Sequence, residues 1–258
     1  MRLAVSTLGL PGQGLGEAIE IAAAHGCEGL ELRLHPDTGI YLDMPEAERA
    51  TARNLITARG MEILALAGYA RVAVPGPDAP VVEELAAGLR LAESLGAPAL
   101  RVFPGGTDVV AAARRIRAAL RDGPGSARIL VETHDEMPTG ADVARLLDAV
   151  GLPARAGAIW DVLHPWRHGE QPRDTLAALG DRLGYVQVKD AAADRTPVPL
   201  GTGTVPLREI GALLRASGYD GWASLEWERT WYPHVAPVEE VLPAARSWTG
   251  EFSRSRSE

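Results

Sequence analysis

Three acidic residues and one amide recur along the second half of this 258-residue chain, each ending a short apolar run. They are Glu132 in Val131-Glu132-Thr133-His134-Asp135, Asp161 in Trp160-Asp161-Val162-Leu163-His164, Gln187 in Gln187-Val188-Lys189-Asp190, and Glu226 in Glu226-Trp227-Glu228-Arg229. Side chains two apart on a strand share a face, which pairs Gln187 with Lys189 and Glu226 with Glu228. If Glu132, Asp161 and Glu226 all point inward, their charges repel and their burial needs compensation. A divalent cation resolves that conflict. Oxygen donors with no cysteine among them suit Mg²⁺ or Mn²⁺, with Co²⁺ also compatible. The amide oxygen of Gln187 would be a fourth ligand, leaving two octahedral positions for substrate oxygens or water.

The elements that must carry these residues follow from a rhythm in the chain. Short apolar or β-branched runs occur at 3–7, 29–34, 62–67, 99–103, 128–133, 156–161, 184–190 and 222–228. They start roughly every 31 residues, about one strand-plus-helix unit. Stretches of helical periodicity fill the gaps at 16–25, 45–59, 80–95, 109–121, 141–150, 173–179, 207–217 and 238–248. Gly26, Gly60, Gly96, Gly151 and Gly218 stand just past five of them, where a left-handed residue ends a helix at low cost. Thr139 or Gly140 is placed to cap the fifth helix, and Thr107 or Asp108 the fourth.

Eight strands alternating with eight helices predict an α/β fold, a (β/α)8 TIM barrel. A doubly wound sheet would use fewer strands and would not keep the spacing to the end. No linker divides the chain, so one domain is expected over 1–250, with a flexible low-complexity tail at 251–258. Chemistry in such a barrel collects at the C-terminal strand ends. The first four ends read as mainly neutral, whereas the last four hold the acids, imidazoles and amide.

Composition excludes several classes. The formal net charge of −8 argues against a general nucleic-acid binder, which relies on a basic surface. No apolar run reaches the roughly 20 residues of a membrane span. The N-terminus turns polar too soon for a secretion signal. Cys27 stands alone and cannot form an internal disulfide, so a reducing cytoplasm is the expected location. Gly12-Gln13-Gly14-Leu15-Gly16 lacks the Gly-x-Gly-x-x-Gly spacing of a dinucleotide loop, so no nucleotide cofactor is expected.

Taken in order at these strand ends, the four motifs resemble the sugar isomerase/epimerase group of xylose-isomerase-like barrels. That group holds its metal with a Glu after strand five, an Asp after strand six, a His or Gln after strand seven and a Glu after strand eight. The matching residues here are Glu132, Asp161, Gln187 and Glu226. Gln187 in place of the commoner His looks like the hydroxypyruvate isomerase branch. The Lys189-Asp190 that follows is similar to the ketose epimerase and inosose-processing branches instead. No single substrate therefore carries over.

The resemblance implies a metal-dependent isomerase or epimerase of a small sugar, sugar acid or ketose. One divalent ion, Mn²⁺ or Mg²⁺ or else Co²⁺, would stabilise an enediolate, with Glu132 and Glu226 as base and acid on opposite sides of the reacting carbon. Asp161-x-x-His164 matches a histidine that contacts substrate oxygens. Lys189 is a candidate to hold hydroxyls or the enolate oxygen. Arg229 and Arg33 are candidates for an anionic end of the substrate. Relatives of this group often form dimers or tetramers, which implies a homo-oligomer.

Several residues admit a plainer reading. His134 and His35 fit a rim or packing role as well as a substrate contact. Arg33 suits an ion pair with a neighbouring carboxylate. Trp166, with Trp160, Trp227, Trp231 and Tyr232, could wall a sugar site or pack the barrel. The Gly201-Thr202-Gly203 loop could line the mouth or form a structural turn. The runner-up function is a metal-dependent dehydratase or lyase of the inosose or dehydroshikimate type, which would expel a β-hydroxyl. A non-catalytic barrel is the reading that Gln187 leaves open. An endonuclease would need further His and carboxylate ligands and a basic groove, which six His and the acidic balance do not supply.

Overall fold

A computed structural model describes residues 1–123 and 125–253. Each apolar run forms a strand: β1 (Arg2–Ser6), β2 (Gly29–Arg33), β3 (Glu62–Arg71), β4 (Ala99–Phe103), β5 (Arg128–Glu132), β6 (Ala156–Asp161) and β7 (Leu183–Val188). A two-stranded antiparallel hairpin, β8 (Asp190–Ala191) with β9 (Pro197–Val198), precedes the last barrel strand, β10 (Trp222–Leu225). The eight long strands are parallel and close in the order β1-β10-β7-β6-β5-β4-β3-β2. This is the (β/α)8 barrel that the spacing predicts.

Helices α1 (Leu15–Ala24), α2 (Glu46–Ala58), α3 (Asp78–Leu95), α4 (Val109–Asp122), α5 (Gly140–Val150), α6 (Leu163–Arg167), α7 (Pro172–Leu179), α8 (Leu207–Ser217) and α9 (Val238–Phe252) lie between and after the strands. Gly96, Gly151 and Gly218 end their helices with positive φ, as the sequence requires. Asp108 and Thr139 are the caps, accepting from Ala111 N at 2.9 Å and Asp142 N at 3.1 Å.

Three differences bear on the site. The last strand ends at Leu225, so Glu226 and Glu228 stand on the loop beyond it. The extra turn α6 begins where Asp161 Oδ1 accepts from Leu163 N at 2.8 Å. The final helix runs on to Phe252, which is buried with Trp248 in the shell, so ordered structure reaches past residue 250. Residues 254–258 of the expected tail lie outside the described residues.

Two apolar regions flank the sheet. A continuous shell fills the space between strands and helices. Inside the barrel a smaller plug of Ala99, Leu130, Ile159 and Tyr185 is backed by Ala4, Leu64 and Ala65. Two residues further along the same strands stand Arg101, Glu132, Asp161 and Gln187. Strand alternation therefore stacks a polar layer directly on an apolar one. Cys27 belongs to the outer shell, where burial pushes its thiol up to about 12.

Asp190 ties down the loop that follows β7. Its buried carboxylate accepts four backbone N–H groups: Ala191 and Gly201 and Gly203 at 2.9 Å each, and Val205 at 3.1 Å. The Gly201–Gly203 loop is thus held from within, and Gly203 approaches Asp190 so closely that a Cβ there would lie 2.3 Å from its Oδ1. Asp190→Asn offers one acceptor oxygen where the carboxylate offers two. It should cost about 2 kcal/mol in urea unfolding and speed hydrogen exchange at Gly201, Gly203 and Val205. Unchanged exchange at all three would refute the clasp.

A second polar tie joins α3 to α4. Buried Arg115 donates to the carbonyls of Val72, Val74 and Gly76 at 2.7–2.9 Å and to Asp78 Oδ1 at 2.8 Å, and Arg114 holds the same carboxylate. The hydrogen bond from Arg114, helped by Arg115, lowers Asp78 from 3.8 to about 2. A depressed carboxylate contributes stability above its unfolded value and loses it as pH falls. The stability gap between wild type and Asp78→Asn should be constant above about pH 5. It should close as pH falls from near 3.8 towards 2, which denaturant titrations across that range would measure.

Candidate active site

At the C-terminal mouth of the barrel the four predicted residues converge. Oxygen atoms of Glu132, Asp161 and Glu226 all lie within 4.8 Å of one another, and all three side chains are buried. Strand geometry places them: Glu132 and Asp161 are the last residues of β5 and β6, and Glu226 follows β10 with its N–H still on Val188 O at 3.1 Å. Gln187, fully buried on β7, reaches Glu226 Oε1 through Nε2 at 3.1 Å.

Two cations are threaded into this cluster. Lys189 Nζ lies 2.7 Å from Asp161 Oδ2 and 2.8 Å from Glu228 Oε1, and it contacts Glu226 Oε2. Arg101 Nη1 donates to Glu132 Oε2 at 2.9 Å and lies 3.6 Å from Glu226 Oε1, while its Nε and Nη2 donate to Gly68 O. Glu31 from β2 is a further, fully buried carboxyl in the same layer.

Arg101 and Glu31 correct the expectation that the first four strand ends are mainly neutral. The signal for Arg101 was present: a charged residue at the centre of Ala99-Leu100-Arg101-Val102-Phe103 shares the parity of Ala99 and Phe103 and, inside an apolar run, needs a buried partner.

The electrostatics follow from five carboxyls facing two permanent cations. Burial pushes Glu132 well above the ordinary carboxylate range; Glu226 and Asp161 add to that rise and Arg101 opposes it. Glu31 is raised by burial and then by Glu226. For Asp161, burial would raise the value, but Lys189 and His164 together bring it below normal. Burial works against a charged Lys189, yet Asp161, Glu226 and Glu228 outweigh it and hold the ammonium well above its usual value.

The donor set fits a divalent cation. Three carboxylates meet at one point with more negative charge than the two side-chain cations offset. Gln187, tied to Glu226 through its Nε2, has a hard oxygen donor in Oε1, which is buried and has no hydrogen-bond partner among the described residues. Glu132, Asp161, Gln187 and Glu226 would hold the ion.

The remaining candidates divide. His164, on α6, lies 3.7 Å from Asp161 Oδ2, and burial lowers its pKa to about 4, leaving a neutral imidazole. His134 stacks on it at 4.2 Å between ring centroids and on Phe103 at 4.5 Å, with Nδ1 2.7 Å from Asp135 Oδ1. Arg33 pairs with Asp37 at 2.6 Å and with Tyr69 Oη at 2.7 Å. Trp166 packs half-buried against the outer shell. Arg229 is half-buried past Glu228 and takes no part in the cluster's hydrogen bonds. At the cluster a cavity of about 60 Å³ is lined by Leu8, Tyr69, Phe103 and Trp231 together with Lys189, Glu132, Glu226 and Glu228. Of the five aromatic residues singled out from sequence, Trp231 is the one lining it.

Arg101 neutralises a carboxyl that is itself 1% exposed. Arg101→Met should therefore destabilise the protein by about 3–5 kcal/mol in urea unfolding. A loss below about 1 kcal/mol would mean that the pair is solvated.

Residues 19–251 match the family model described as xylose isomerase-like TIM barrel. The chain is 30% identical over 213 residues to the 2-epi-5-epi-valiolone 7-phosphate 2-epimerase of Actinoplanes sp., covering 78% of this chain and 77% of that protein. A Streptomyces coelicolor protein named "Putative hydroxypyruvate isomerase" is 34% identical over 88 residues. That match spans 34% of this chain and 30% of the relative, under a third of its length. The crystal structure of the probable 3-DHS dehydratase AsbF from Bacillus anthracis shares the fold, with a TM-score of 0.78 and 22% identity over 100% of both chains.

Proposed function

The chain belongs to the xylose isomerase-like TIM barrel family, and from that premise we propose that it is a divalent-metal-dependent isomerase or epimerase of a small ketose, sugar or sugar acid. The observation that carries this reading is the convergence of Glu132, Asp161 and Glu226 beside the unpartnered Gln187 Oε1. The Actinoplanes relative, an epimerase by name, supports the reaction class.

A bound Mn²⁺ or Mg²⁺ would supply Lewis-acid polarisation of a carbonyl and its neighbouring hydroxyl. The chain's residues do the rest. Glu132 ends β5 and Glu226 follows β10, two strands separated in the barrel order by β6 and β7, which suits removal of a proton from one face of a carbon and its return at the other. Burial and the neighbouring acids push Glu132 above the ordinary carboxylate range, the direction in which a group that alternates between base and acid is tuned.

Lys189 and the neutral His164 are positioned to hold substrate oxygens, Lys189 as a cation and His164 as a hydrogen-bonding ring. Tyr69, Phe103 and Trp231 form an apolar wall on which a sugar's C–H face can rest, and they exclude water from the reacting carbon. His134, braced by Asp135 and the two rings, adds a polar edge to that wall.

The test is NMR in deuterated water with ketoses, sugar acids and hydroxypyruvate, with Mn²⁺ or Mg²⁺ added. Deuterium should enter beside the carbonyl, with an inverted centre or a migrated carbonyl. Glu132→Gln and Glu226→Gln should each slow exchange by roughly 10²–10⁴-fold in variants that circular dichroism shows to be folded. Loss of water in place of exchange would transfer the chain to the lyases. No exchange with any substrate, together with no thermal shift on adding Mn²⁺, Mg²⁺ or Co²⁺, would overturn the enzyme reading.

A further inference from the structure

Gln187 differs from a carboxylate or imidazole ligand in one respect: its amide can be turned by 180°, exchanging a donor for an acceptor. A ligand role for Oε1 therefore requires something that fixes the amide's orientation. The nitrogen end faces two carboxyls, with Nε2 2.8 Å from Glu31 Oε1 and 3.1 Å from Glu226 Oε1. Turning the amide would aim its carbonyl oxygen at both carboxylates and leave its two N–H groups without those acceptors. Burial makes that costly, at about 1–3 kcal/mol for each unmet polar group.

The two carboxyls are not equivalent. Glu226 belongs to the converging trio and would turn towards a bound cation. Glu31 stands outside the trio, three places round the barrel from Gln187, where β10 and β1 separate β2 from β7. It is fully buried and is fixed at its other oxygen by Ser224 Oγ at 2.7 Å. Arg101, by contrast, holds Glu132 and Gly68.

We infer that Glu31 is a positioning residue that locks the Gln187 amide with Oε1 presented to the cation site. The inference rests on the proposed metal centre, and it extends that centre to a strand contributing none of its ligands. It also says why an amide can stand where an imidazole is commoner: a donor beside Glu31 satisfies the carboxylate, and an imidazole N–H would do so equally. Outer-shell partners of this kind hold metal affinity within a range of 10–100-fold.

The experiment is a double-mutant cycle on the full chain, with Mn²⁺ affinity read by calorimetric titration. Glu31→Met, which keeps the length and removes both acceptors, should weaken Mn²⁺ binding 10–100-fold. Gln187→Ala should weaken it comparably, and the double variant should bind no more weakly than Gln187→Ala alone. Gln187→His, with Glu31 retained, should bind within a few-fold of wild type. Wild-type affinity in Glu31→Met, or losses that multiply in the double variant, would overturn the positioning role and leave the metal centre standing. Absence of Mn²⁺ binding to the wild type would remove both. Should Glu31→Met fail to fold, hydrogen exchange of the Gln187 side-chain amide in the metal-free wild type decides the matter. Slow exchange of both protons supports the lock, and exchange at the rate of an exposed amide overturns it.

Discussion

A layer of buried carboxyls governs this structure. Glu31, Glu132, Asp161 and Glu226 are each less than 5% exposed, and they sit within one cross-section of a barrel whose next layer down is apolar. Carboxyls so placed cannot all ionise without compensation, and two compensations are built in. Arg101 spans from Gly68 O to Glu132, and Lys189 is held among Asp161, Glu226 and Glu228. Neither cation is free to move without exposing a charge to a low-dielectric interior. The layer is thus prearranged, and the deficit of positive charge is what makes a divalent ion fit it.

The rest of the fold serves that layer. Shell and plug hold the strands in a staggered register that pairs Arg101 with Leu130, Glu132 with Ile159 and Asp161 with Gln187. The loops then finish the site: Asp190 fixes the segment after Lys189, and the Asp161 carboxylate opens the turn that carries His164. Support also comes from outside the donor set. Glu31 meets the nitrogen of Gln187 from a strand not paired with β7, which ties β2 to β7 through the lumen.

Much of this was legible before any fold was known. The recurrence of apolar runs marks the strands, and Gly96, Gly151 and Gly218 mark helix ends because a left-handed turn is cheap for glycine. The motif ends at Glu132, Asp161, Gln187 and Glu226 could be read as one set because barrel strands present their C-terminal ends to a single face. Arg101 and Glu31 were harder to see. Each lies within a strand in a half of the chain whose ends look neutral, and no local pattern says which distant charge will meet it. Trp231 and Trp166 show the same limit, since equal residue types past the ends of β10 and β6 end up in the cavity wall and in the outer shell.

The sequence by itself determined the repeat, the direction of each side chain along its strand, and the chemical types available at the mouth. Those properties are local: alternation, capping and periodicity act over a few residues. The tertiary structure alone decided which charges neutralise which, where Lys189 settles among three acids, and which face of the Gln187 amide remains unpartnered. Those depend on closure of the barrel, which pairs β1 with β10 and so brings β2 within reach of β7 and β10. Electrostatic and hydrogen-bond energies depend on distances through space, and separation along the chain does not record them.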